Sequence, residues 1–355
     1  MNTQIIDIAD PLWTETLAQL HHDIYHLPEY VNLEATRTQS LPEAILITEG
    51  EKIFFLPYLL RCCDNLFSSK LLITEVFDVV SPYGYPGFLM NTIAIQTPEF
   101  LNMVLQKLKS IFLDKNVCSV FLRLHPILNN YIQEFLPSQD YQIQGETVSI
   151  NLTLSETEIW HQTRSQHRTH INRCKQAGFI AKIVDYHDYI DEFMFIYYQT
   201  MDRVGAKKDF YFDREYFTAL SKLNEKIHLC IVELENQVAC VGIFTECCDI
   251  VQCHLSGTNN DFLKQAPNKL MFDYIRFWAK ERGNKFFHFG GGLGATKDSL
   301  YDFKAGFSKQ THSFSTMRLI TNKEKYLDLV KLRAKILSTQ VETLLESKFF
   351  PAYRS

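Results

Sequence analysis

The stretch that most constrains this chain is Asn284–Phe307, NKFFHFGGGLGATKDSLYDFKAGF. Phe286, Phe287 and Phe289, with His288 among them, read as an aromatic strand that runs into Gly290, Gly291 and Gly292, then Gly294. A run of glycines admits positive φ and lets another molecule approach the backbone closely, which makes Gly291 and Gly292 candidate substrate-lining positions. After a short polar turn, Lys304 follows Phe303 and precedes Ala305-Gly306-Phe307. A lysine held among aromatics is either a placed charge or a stem that snorkels past apolar surface.

The rest of the chain must accommodate that stretch. At 355 residues it is long for one core, so two domains are expected. A net charge of −5 gives no overall pull toward nucleic acid or an anionic membrane, so any such contact needs a local patch. No apolar run approaches the roughly 20 residues of a membrane span. The start, MNTQIIDIADPLW, lacks the basic end and apolar core of a signal peptide, so a cytoplasmic protein is expected. The nine cysteines form no CxxC pair and agree with reduced thiols. Cys247, Cys253 and His254 lack metal-ligand spacing, so no metal is expected.

Taken in order, residues 12–23 have helical spacing, and Pro28 in His26–Tyr30 is expected to stop any continuation. Ala44–Thr48 and Ile53–Leu60 read as a hairpin, and Leu71–Val80 as a further β-rich run. That run ends in Ser81-Pro-Tyr-Gly-Tyr-Pro-Gly87, a rigid loop carrying Tyr83 and Tyr85, which either face a ligand or simply pack. Pro98–Leu113 is an amphipathic helix through Leu101, Val104, Leu105 and Leu108. Val117–Leu124 and Glu146–Leu154 are strands.

In the second half, Glu156–Gln176 is a polar, basic helix carrying Arg164, His167, Arg168, His170, Arg173 and Lys175. It is a solvated face or a contact for phosphate or an RNA backbone. His170 and Cys174, four apart, could touch but lack an orienting third group for nucleophilic work. Helices are expected at Tyr189–Arg203, at Asp213–Leu223 with Asp213 as cap, and at Lys269–Arg282 with Asn268 as cap. Between them lie strands Ile227–Glu235, Val238–Cys247 and Ile250–Ser256, the first two a hairpin through Glu235-Asn236; Gly283 ends the helix before the aromatic strand, and Lys323–Leu345 is a final helix. Three antiparallel strands, a helix and a parallel strand make the heart of an acyltransferase-type α/β fold.

Gly290, Gly292 and Ala295 formally spell GxGxxA after a strand. A dinucleotide site would need a long helix next, and only a short polar segment follows. GxxxxGK(S/T), HExxH and GxSxG do not occur, which argues against nucleotide hydrolysis, zinc proteolysis and serine hydrolysis.

Five blocks then carry a resemblance: Tyr198-x-Thr-Met-x-Arg203, Ser256-Gly-Thr-Asn259, Ala266-Pro-Asn268, His288-Phe-Gly-Gly-Gly292 and Asp298-Ser-Leu-Tyr-x-Phe-Lys304-x-Gly-Phe307. In this order and spacing the second half resembles the Fem family of peptidoglycan aminoacyltransferases and the related FemAB-like, BioF2-type acyltransferases of the GNAT superfamily. The likeness covers about residues 160–310, and extends to the first half through Leu27-Pro-Glu-Tyr30 and the Ser81–Gly87 loop.

The resemblance implies a mixed-sheet α/β fold of tandem GNAT-like domains, with residues 1–153 as the first, 154–322 as the second and 323–355 as a helical tail. It implies transfer of an aminoacyl or acyl group to a primary amine, with Lys304 stabilising the oxyanion and the Phe303 carbonyl near the attacking amine. It further implies Arg203 as partner of an anionic part of the acceptor, Tyr83 and Tyr85 as shapers of the acceptor cleft, and Tyr198 and Asn268 as substrate contacts.

The loop Leu263-Lys-Gln-Ala-Pro-Asn268 has no glycine, unlike the turn with which ordinary GNAT enzymes hold a CoA pyrophosphate. Together with the basic helix, this points to aminoacyl-tRNA as donor and tRNA as partner. The alternatives are an acyl-CoA-dependent N-acetyltransferase acting on an amino sugar or small amine, and a non-catalytic binding module. No permanently bound cofactor is expected.

Overall fold

The computed structural model describes residues 1–66, 75–136, 141–347 and 349–355. Its contacts divide the chain into two compact units, 1–144 with 314–355, and 145–313. The expected borders at 153 and 323 both move. Residues 145–151 pair in the second unit's sheet, and the residues after 313 return to the first.

The first unit opens with β1 (Asn2–Asp7), α1 (Pro11–Leu17) and α2 (Pro28–Thr38). Pro28 starts α2 rather than stopping a helix, because a proline at the first helical position lacks only an N–H that would be unbonded anyway. The hairpin β2 (Leu41–Glu49) and β3 (Lys52–Cys62) is in register from Leu41–Leu60 to Glu49–Lys52. β4 is Phe77–Val80; residues 71–74 of the expected strand lie outside the described residues. Next come β5 (Leu89–Met90), α3 (Thr92–Ile95), α4 (Pro98–Asp114), β6 (Val117–Arg123) and α5 (Ile132–Phe135). The stripe Leu101, Val104, Leu105 and Leu108 of α4 is buried against the sheet, at roughly 1.5–3 kcal/mol of apolar burial per side chain.

The second unit begins within β7 (Tyr141–Asn151). The expected single helix 156–176 is two, α6 (Glu156–Gln162) and α7 (Ser165–Gln176). They part at Thr163-Arg164, where the Arg164 amide donates to the Gly306 carbonyl at 2.8 Å. β8 (Ile180–Val184), α8 (Tyr186–Arg203) and α9 (Arg214–Leu220) follow, and Asp213 caps α9 as expected by accepting from the Tyr216 amide. β9 (Ile227–Leu234), β10 (Gln237–Cys247) and β11 (Ile250–Thr258) form the antiparallel run. α10 (Asn268–Glu281) then crosses to β12 (Phe286–Gly290), which lies parallel to β11, and α11 (Ser299–Ala305) completes the unit.

β13 (Thr311–Ile320), which sequence spacing did not reveal, pairs with β6. The expected tail helix is broken into α12 (Lys323–Ile336) and α13 (Val341–Glu346). Tyr326, Leu329 and Val330 of α12 pack with Cys63 and Cys118, so the tail covers one face of the first sheet rather than standing alone.

The two sheets share one plan. In the first the order is β1-β2-β3-β4-β6-β13, in the second β8-β9-β10-β11-β12-β7. In each, only the fourth and fifth strands are parallel, and a long helix (α4 or α10) joins them. A parallel neighbour demands such a crossover. Among the described residues no helix is long and apolar enough to cross a membrane.

Candidate active site

The parallel pair of the second unit parts early. β11 and β12 are in register only from Ile250–Phe286 to Gln252–His288. β12 then slips by a residue against β7 between His288 and Gly290, and Gly290 takes φ +75°. β11 follows α8 instead, so closely that a Cβ on Gly257 would stand 3.0 Å from the Tyr197 Cα. Beyond Gln252 the two strands thus diverge, leaving Cys253–Thr258 of β11 without β12 pairing among the described residues.

The glycine turn and α11 lie at this divergence. Asp298 caps α11 by accepting from the Tyr301 amide through Oδ1 and reaches back through Oδ2 to the Leu293 amide, both at 2.9 Å. One carboxylate therefore fixes both the turn and the helix, and these bonds hold its pKa below the usual range although burial opposes them. The Tyr301 hydroxyl donates to Glu146 at 2.7 Å, and Phe303 and Phe307 pack on Phe272. Asp298→Ala should lower stability by about 1 kcal/mol, as for other lost caps, with transfer activity falling further than stability does. Denaturant unfolding beside a rate assay checks this.

Lys304 occupies the last turn of α11, half-buried, and its Nζ donates to the Gly291 carbonyl at 2.5 Å. Burial lowers its pKa, while Cys253 and Asp298 oppose the change. Burial also pushes the Cys253 thiol up to about 11, so it is neutral. The nitrogen of this lysine thus turns back to the glycine turn.

Phe303 presents its carbonyl to His167 Nε2 at 2.9 Å and to the Gly306 amide at 3.1 Å. A carbonyl can only accept, so Nε2 carries the imidazole proton. Burial lowers the His167 pKa to about 4, which keeps the ring neutral. Its Nδ1 is buried without a partner among the described residues. His167 escaped the sequence reading because it was taken with the basic face. Its spacing to Ile171 and Cys174, the other buried residues of α7, was the signal for an inward position.

The other expected residues are placed as follows. Arg203 donates through Nη1 to the Thr258 carbonyl at 3.2 Å and to Asn260 Oδ1 at 2.5 Å, and through Nη2 to Thr200 at 3.1 Å, tying α8 to the end of β11. The Tyr198 hydroxyl donates to the Phe212 carbonyl at 2.6 Å. Asn268 is the first residue of α10 rather than its cap, which is Pro267, and no side chain caps that end. Arg164 and Arg173 are exposed and Arg168 half-buried. The Cys174 thiol is raised by burial and donates to the Gln265 carbonyl at 3.3 Å, so the His170–Cys174 pair is no nucleophile. Tyr83 and Tyr85 belong to the first unit, where the Tyr83 carbonyl accepts from Tyr30 and the Tyr85 ring meets Phe314 edge-on.

Chemically, a desolvated ammonium beside a strand divergence can bind a carbonyl oxygen as it becomes anionic. Such stabilisation is strong where water is excluded. The Asp298-capped turn ties the glycine loop to the helix that carries the lysine.

Comparison with known proteins agrees with this fold. The acetyltransferase (GNAT) domain family matches residues 161–305. The crystal structure of FemX is similar over 92% of this chain and 99% of its own, with a TM-score of 0.70 at 13% identity. L-PGS from Bacillus licheniformis is similar over 90% of this chain and 94% of its own, with a TM-score of 0.54 at 11% identity. The C-terminal domain of a putative lysylphosphatidylglycerol synthetase from Agrobacterium fabrum covers 92% of this chain and 95% of its own, with a TM-score of 0.53 at 10% identity. No curated protein matches the sequence. The chain is an acyltransferase with a tandem GNAT-like, FemX-like fold, and residues 161–305 carry its match to the acetyltransferase (GNAT) domain family.

Proposed function

We propose that this enzyme moves an aminoacyl or acyl group from an activated ester or thioester to a primary amine, with no covalent enzyme intermediate. The amine nitrogen attacks the carbonyl carbon, forming the C–N bond while the π electrons move to oxygen. Collapse expels the alkoxide or thiolate, which takes a proton as the nitrogen loses one. The observation that carries this reading is the Lys304 ammonium, held on the Gly291 carbonyl at the parting of β11 and β12. Lys304 exchanges that carbonyl for the developing oxyanion. Gly291 and Gly292 line the approach, and the Phe303 carbonyl, steadied by His167, orients the incoming amine.

The acceptor is the amine of a cell-wall precursor peptide, supported by the Fem-like blocks and the FemX-like fold. Tyr83 and Tyr85 shape its cleft, while Tyr198, Arg203 and Asn268 support substrate contacts. The donor is aminoacyl-tRNA, for which exposed Arg164 and Arg173, with Arg168 between them on α7, offer a phosphate contact. A second reading, an acyl-CoA donor, is favoured by Lys269. This residue of the first turn of α10 is only 9% exposed and has no ion-pair partner among the described residues. Burial lowers its pKa, and it stands where a helix N-terminus would also favour a phosphate.

The test offers charged tRNA in one tube and acyl-CoA in another, each with a mixed amine pool, and follows donor and product by mass spectrometry. Consumption of charged tRNA alone is the expected result. Consumption of acyl-CoA alone establishes the second reading, and no amide product from either donor would overturn the proposal.

A further inference from the structure

The first unit carries two cations that the transfer chemistry does not use. Arg123 ends β6, and Arg318 of β13 stands opposite Phe121 in the pairing of those strands. Their guanidinium carbons lie 5.3 and 5.9 Å from the centroid of the same Phe121 ring. The Phe350 ring, 6.1 Å from that of Phe121, also lies 5.6 Å from the Arg318 guanidinium carbon. Neither arginine has a side-chain hydrogen bond or ion pair among the described residues, and Arg318 Nε is buried without a partner.

Nearby carboxylates are already engaged. Asp78 is fully buried and shared between Arg61 and Arg354, and Glu34 is held by Arg37. Burial depresses the pKa of both Arg123 and Arg318, and Arg61 adds repulsion at Arg123. Half-buried guanidinium groups without an ion-pair partner lose hydration with little return, and a neutral side chain would avoid that cost. Such an arrangement is expected where a ligand supplies the missing charge.

We propose that Arg123 and Arg318, both within 6 Å of the Phe121 ring centroid, form an oxyanion site of the phosphate or diphosphate class. Each guanidinium offers a planar fork that matches two phosphate oxygens, and the two forks around one ring suit a ligand with more than one phosphate better than a single carboxylate. The site lies wholly in the first unit and does not depend on Lys304.

Titration of the full-length protein with inorganic pyrophosphate, read by calorimetry and thermal shift, tests the site. Wild type should bind saturably, with affinity falling as salt rises. Arg123→Gln and Arg318→Gln should each weaken binding by about tenfold, the loss expected for one charge-assisted contact. The unliganded double variant should melt at or above the wild-type temperature, because removing half-buried charge without an ion-pair partner relieves the fold; this also certifies that it is folded. Lys304→Ala should bind pyrophosphate as wild type does, so a failed transfer reading would leave this result untouched. Absence of wild-type binding, equal binding by the double variant, or citrate bound in place of pyrophosphate would each overturn the assignment.

Discussion

Lys304→Ala should lower kcat/KM for amide formation by roughly two to three orders of magnitude, the range seen when one oxyanion donor is removed. The loss should fall on kcat, because the ammonium already has a ground-state partner in the Gly291 carbonyl and gains most once the substrate oxygen is charged. Folding should survive, since truncation releases a half-buried cation whose desolvation is already reflected in its lowered pKa. The pH profile carries the same signature. Lys304 works as a cation, so wild-type activity should fall with rising pH through a single ionisation below the ordinary lysine value of about 10.4. That alkaline limb should be missing in the alanine variant.

Gly292→Ala should be the second most damaging change. Its φ is −79°, which any residue adopts, so the effect is purely steric. A Cβ there would stand 2.1 Å from the Thr296 carbonyl oxygen and 2.3 Å from Asp298 Oδ1. The first is backbone and the second is the α11 cap, so relief requires the turn to open. Destabilisation of about 1–3 kcal/mol is expected, as for other overpacked sites, together with an activity loss approaching that of Lys304→Ala. Gly294→Ala is the control. Its φ is +59° with nothing within 4 Å of the added carbon, so it should cost only about 1 kcal/mol of backbone preference and spare most activity. Comparable losses in the two variants would refute the steric argument.

The legible parts of the structure were those written in local pattern. The apolar spacing of α4, the Glu235-Asn236 turn between β9 and β10, and Gly283 at φ +86° after α10 each act within a few residues. The Fem-like blocks marked Lys304 and its glycine turn as a candidate site. What escaped depends on distant partners. β13 has no turn signal of its own and becomes a strand by pairing with β6, about two hundred residues earlier in the chain. Pro28 was read as a stop because proline breaks a helix interior, whereas here it opens a helix whose Tyr30, Val31, Leu33 and Ala35 are buried. His167 looked like one more basic residue until α11 supplied the Phe303 carbonyl. For Arg203 and Tyr198, side-chain type was visible, but not that their polar ends are engaged by neighbouring backbone.

The central claim is that the Lys304 ammonium favours the tetrahedral oxyanion over the ground state. A phosphonate mimic of the tetrahedral adduct, once the donor class is known, measures this directly. Its dissociation constant should rise on Lys304→Ala by the same factor by which kcat/KM falls, while affinity for the unreacted donor stays unchanged. Equal affinity of wild type and variant for the mimic would contradict the account.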